Sequence, residues 1–104
     1  LEKEIYIKEN WGKKSIIDLA DTLKITLIDA LEIALRLKLY DKDTPNIGRR
    51  WEDEEISFLE KHSNILNVRE ASNLLYRSHY ATYQKIKYLG LVEMIRNKQK
   101  KRVK

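Results

Sequence analysis

Apolar residues recur three and four positions apart along most of this chain, and no stretch shows the period-two alternation of a half-buried strand. The pattern predicts an all-α fold. It breaks once, in DKDTPNIGRR (residues 41–50), which holds Pro45 and Gly48 without an amphipathic rhythm and reads as a linker between two three-helix units. On the N-terminal side, EIYIKENWG reads as a first helix with its stop at Gly12. Ser15 then caps IIDLADTL and Thr26 caps LIDALEIALRLKL, each with an aspartate three residues on. On the C-terminal side, Trp51 leads into EDEEISFLEKH, whose acids suit the positive end of a helix dipole. Asn67 caps VREASNLL with Glu70 three residues on, and Ser78 opens a third helix that Gly90 stops. The expected organisation is an N-terminal unit (1–40), the linker (41–50), a C-terminal unit (51–93) and a tail (94–104).

The two sides repeat. An offset of 52 residues aligns 6–39 with 58–91 without a gap. Tyr6 meets Phe58, Ile16 meets Val68, Leu23 meets Leu75, Thr26 meets Ser78 and Leu39 meets Leu91, so the matches fall on caps and apolar positions.

The two third helices differ on their outward faces. At about 100° per residue, Thr82, Ile86 and Leu89 form the core side of the second copy. Tyr80, Tyr83, Gln84 and Lys87 face away, with Tyr88 at the margin and Lys85 on the flank. No acid stands on this face. Its amide can pair with adenine, its ammonium with guanine or phosphate, and its tyrosines with phosphate or apolar groups. The equivalent positions of the first copy are Ile28, Leu31, Glu32 and Leu35. The carboxylate repels phosphate, and the three aliphatics are costly to leave in water, at about 25 cal/mol per Å². They predict a protein interface, closed by a second chain or partner, or by the second repeat within one chain.

Composition sharpens this picture in one place. Net charge is +5, but residues 1–45 carry 8 Lys/Arg against 9 Asp/Glu, and residues 46–94 carry 7 of each. Residues 95–104 hold 6 basic residues and no acid, so the excess lies in the tail, where Lys98, Lys100, Lys101 and Arg102 favour a polyanion. There is no cysteine, which removes disulfides and thiolate metal sites. No apolar run approaches the roughly 20 residues of a membrane span, and no signal-peptide pattern is visible. The chain begins at Leu1, which reads as a trimmed or partial sequence.

Trp51 with its following acids, Phe58-Leu59, Glu70-Ala71, Leu75, Arg77-Ser78, Ala81-Thr82, Lys85 and Leu89-Gly90-Leu91 together resemble the Myb/SANT-like tri-helical helix-turn-helix domains of bacterial and phage DNA-binding proteins. The resemblance covers residues 51–91. It departs at Thr82, where that pattern prefers valine, and at Ser72, where alanine is common. Residues 4–40 match loosely, without the leading tryptophan or the Arg-Ser and Leu-Gly-Leu signatures. The resemblance implies two tandem helix-turn-helix units and binding of double-stranded DNA by the third helix of the second. Arg77, Ser78 and His79 would then meet phosphate at that helix's start, and Arg49 and Arg50 would reach the backbone or an adjacent minor groove.

Enzymatic chemistry finds no support. His62 and His79 are the only histidines, too few for a metal site without cysteine, and His62 reads as a helix-end residue. The acids 52–55 read as dipole partners. No glycine-rich phosphate loop or nucleophile–base pair is present, and no cofactor is expected. The expected function is a DNA-binding transcriptional regulator, cytoplasmic and nucleoid-associated if bacterial. The alternative is a protein-interaction adaptor or anti-repressor working through the first repeat's apolar face.

Overall fold

A computed structural model of the chain describes residues 1–97. The order is α1 (Glu2–Asn10), α2 (Ile16–Leu23), α3 (Leu27–Arg36), a single 3-10 turn (Leu39–Asp41), α4 (Asp53–Lys61), α5 (Val68–Leu75), α6 (His79–Leu89) and α7 (Val92–Arg96). Local chemistry sets these limits. Ser15 Oγ accepts from Asp18 N at 3.1 Å, Thr26 Oγ1 from Asp29 N at 3.1 Å, Asn67 Oδ1 from Glu70 N at 2.8 Å and Ser78 Oγ from Ala81 N at 3.0 Å. Each such cap satisfies an orphan backbone donor and is worth about 1 kcal/mol.

The helix ends match across the offset of 52 as closely as the starts. α2 closes with Lys24 in the left-handed region, and Ile25 N–H reaches back to the Ala20 carbonyl. α5 closes with Tyr76 left-handed and Arg77 N–H on the Ser72 carbonyl. The third helices are likewise followed by left-handed residues, Lys38 (φ 60°) and Gly90 (φ 74°). The sequence pattern carries α3 on through LKL, but this left-handed stop comes first, and the chain re-enters only a 3-10 turn at Leu39.

The two halves share one core. Ile7, Ile16, Leu19, Ala30, Leu31 and Ala34 join Phe58, Leu59, Ala71, Leu74 and Ile86 in a single buried cluster. The radius of gyration, 12.9 Å, is that of one folded body of this length (about 13 Å for 100 residues) rather than of two beads on a string. α3 lies against α1, α2, α4 and α5, so it is the beam that joins the halves. Tyr76 bolts them again: its hydroxyl oxygen accepts from Gly12 N–H at 2.6 Å, and its ring meets Trp11 edge-on at 5.0 Å.

Residues 42–50 contain no helix, as a connection should, yet they are not slack. Thr44 Oγ1 donates to the Asn73 carbonyl at 2.7 Å and Ile47 N–H to the Tyr76 carbonyl at 3.2 Å, strapping the segment along the end of α5. A second difference lies at the C-terminal boundary. The limit drawn at residue 93 cuts through α7, whose Met94 is fully buried, so the C-terminal half runs on to at least Arg96.

Candidate nucleic-acid interface

α6 exposes the face that its periodicity predicts. Thr82 and Ile86 are buried, and the Thr82 hydroxyl donates to the Ser78 carbonyl at 2.8 Å, which satisfies the polar group inside the core. Ser72 is likewise buried and satisfied, donating to the Arg69 carbonyl at 2.7 Å. His79, Tyr80, Gln84, Lys87 and Tyr88 are exposed, Tyr80 by 71% and Tyr88 by 83%. No carboxylate stands on α6.

Two residues of this face are held in place. The Lys85 ammonium sits 5.5 Å from the Trp51 ring and 5.3 Å from the Tyr88 ring, between two aromatic faces that attract a cation. Tyr83 is half-buried and lines a groove of about 510 Å³ with Val68, Arg69, His79, Met94 and Ile95. It is less an outward residue than the helical wheel suggests, because α7 packs beside it. Arg69 was not among the sequence candidates. It is exposed on the first turn of α5 and shares a second depression with Asp43, Arg77, Ser78 and His79 at the start of α6. Its only signal in the sequence is its nearness to the capping residue Asn67.

The structure corrects Arg77 and Arg49. Arg77 is 5% exposed. Its guanidinium donates to both Glu55 carboxylate oxygens (2.9 and 3.2 Å) and to the Arg49 and Arg50 carbonyls (2.7 and 3.0 Å), and it stacks 4.0 Å from the Trp51 centroid. These contacts face inward and use four of its five donors. Arg49 is also turned in, paired with Glu55 and donating to the Leu75 carbonyl at 3.3 Å; burial lowers its pKa, with Glu55 acting against the shift. Glu55 is accordingly no exposed dipole partner but the fully buried anion between two arginines. Arg50 keeps an exposed side chain beside Trp51, and Ser78 spends its hydroxyl on the α6 cap.

No family model, curated protein or solved structure matches this chain.

The matching face of α3 is closed within the chain. Leu31 is fully buried, Ile28 and Leu35 are half-buried, and Leu35 faces Ile65 and Leu66 of the α4–α5 turn across a shallow groove. Glu32 meets His62 Nε2 at 3.0 Å and Lys61 Nζ at 3.1 Å, both at the end of α4. Burial pushes the Glu32 carboxyl up, but His62 and Lys61 outweigh it and hold it below the ordinary carboxylate range. Of the two covers expected for this face, a partner or the second repeat of the same chain, the second half of the same chain lies against it. His62, read as a helix-end residue, does end α4, and it also ties that end to α3.

Among the described residues no helix is long and apolar enough to cross a membrane. Lys98, Lys100, Lys101 and Arg102 lie outside the described residues.

Proposed function

We propose that this chain binds double-stranded DNA and regulates transcription, with α6 as the reading helix of the second of two helix-turn-helix units. One observation carries the reading: the same helix face, repeated 52 residues apart, is apolar and covered in α3 but polar, free of carboxylates and open in α6. A folded protein gains nothing in its own core from Tyr80, Gln84, Lys87 and Tyr88 on one exposed face. Such a face fits a groove whose walls are phosphate and whose floor offers hydrogen-bonding base edges. Arg50, Arg69 and His79 flank it and supply backbone contacts, roles that Arg77 and Arg49 do not fill. The first unit has become a scaffold: its third helix holds the second unit in place.

Each chain then carries one reading helix, and a monomer recognises a short site without internal symmetry. The tail adds sequence-independent attraction. Six basic residues in 95–104 would steepen the log–log salt slope of binding by about 5 if all met phosphates. The test is selection of duplexes from a random pool at about 150 mM salt, with Gln84→Ala/Lys87→Ala run beside the native chain. Enrichment of a motif that the double variant loses supports the reading. Binding that vanishes with salt equally for both proteins, with no motif, assigns all DNA affinity to the tail and removes α6 as a reader.

A further inference from the structure

We infer that α6 recognises a purine pair, an adenine opposite Gln84 and a guanine opposite Lys87, in adjacent or next-adjacent base pairs. This rests on the DNA-reading role of α6 and adds to it which bases are read and by which side chains.

The assignment follows from how far each polar side chain of α6 is buried or held by its own chain. Thr82 is buried and bonded to its own helix. Tyr83 is half-buried beside Met94 and Ile95. Lys85 is held between the Trp51 and Tyr88 rings, on the flank of the helix. His79 stands on the first turn beside Arg69 and Ser78, where a backbone contact is the nearer one. Gln84 and Lys87 are exposed near the centre of the outward face, with Tyr80 beside them; the Lys87 ammonium lies 5.9 Å from the Tyr83 ring alone, whereas Lys85 is half-buried between two rings.

A glutamine amide donates to and accepts from the adenine N7/N6 edge in one plane, and it matches no other base as well in the major groove. An ammonium donates to guanine O6 and N7 and meets the adenine N6 amino group with repulsion. The two side chains are three residues apart, so their α-carbons are separated by about 4.5 Å along the helix axis. Base pairs are stacked about 3.4 Å apart. One helical segment thus sets its amide and its ammonium over neighbouring base pairs and not over distant ones. The Tyr80 and Tyr88 rings, exposed on either side in sequence, suit apolar contact with a thymine methyl or the sugar edge.

The test uses the full chain and the duplex it selects from the random pool. Each purine in the motif is replaced, one at a time, by its 7-deaza analogue, which removes the N7 acceptor and leaves Watson–Crick pairing intact. The expected result is one adenine and one guanine, no more than two base pairs apart, whose replacement weakens native binding about tenfold or more. The adenine effect disappears in Gln84→Ala and the guanine effect in Lys87→Ala, with the far-ultraviolet circular dichroism of both variants unchanged. A motif with no sensitive purine overturns the assignment while leaving α6 a DNA reader by other contacts. So does a guanine effect that survives Lys87→Ala, which returns Lys87 to phosphate. A pool that yields no motif overturns the DNA reading itself, and this assignment with it.

Discussion

Arg77 separates two accounts of the same residue. As a phosphate contact at the start of α6, its loss would weaken DNA binding and leave the fold alone. With Arg77 buried against Glu55 and Trp51, its loss should destabilise the fold. Arg77→Ala removes four hydrogen bonds, two to the Glu55 carboxylate and one to each of the Arg49 and Arg50 carbonyls. Breaking a buried ion pair from one side typically costs 3–5 kcal/mol, because the remaining charge has no water to return to. Arg49 stays on Glu55 and softens that penalty. The stranded carbonyls and the lost stacking on Trp51 act in the other direction, at roughly 1 kcal/mol each, and terms within one network do not add independently. A loss of about 3 kcal/mol is the expected outcome. Urea unfolding followed by the fluorescence of Trp11 and Trp51 measures it. At about 1–3 kcal/mol per molar, the midpoint should drop by one molar or more. An unchanged midpoint, joined to a salt slope of DNA binding shallower by about 1, would refute the inward assignment and return Arg77 to phosphate.

Three further outcomes follow from the contacts between the halves. Tyr76→Phe strands the Gly12 N–H and keeps the ring packing against Trp11, so unfolding should be easier by about 1 kcal/mol; a loss below about 0.3 kcal/mol in the urea assay would deny that hydrogen bond a role. Leu31→Ala empties a fully buried site and should cost about 2–5 kcal/mol without changing the mass measured by sedimentation equilibrium, whereas a native dimer turned monomer would reinstate α3 as an interface between chains. Glu32 has a pKa lowered below 4.5, so its contacts with His62 and Lys61 favour the folded state above the ordinary carboxylate range, and that contribution is lost as pH falls through the folded value. The stability difference between the native chain and Glu32→Gln should therefore be present near pH 6 and close in more acid solution; a gap that persists unchanged at pH 3 would contradict it.

The local features were legible in the sequence because local residues determine them. Ser15, Thr26, Asn67 and Ser78 cap the helices that their spacing implied, and Gly90 ends α6. Periodicity also separated the covered face of α3 from the open face of α6. What escaped depends on distant partners. Nothing near Arg77 or Glu55 says that residues 22 positions apart close a buried ion pair, and the Arg-Ser signature drew Arg77 outward by analogy with helix starts that hold phosphate. The apolar face of α3 announced a cover without saying that α4 of the same chain supplies it. α7 has five residues, too few for a periodic signal, and the neighbouring basic tail hid it. Likewise, a Pro-containing stretch with no rhythm reads as a linker, since Thr44 and Ile47 gain their partners only once α5 is in place.

The central claim is that α6, and not α3 or the tail alone, meets DNA. Amide chemical-shift mapping of the isotope-labelled full chain, titrated with its selected duplex, tests it most directly. The account predicts the largest changes from Tyr80 to Tyr88, with a second group at Arg50 and Arg69, and little change in α2 or at the buried positions of α3. Changes confined to the residues after Arg96, with α6 unmoved, would contradict it.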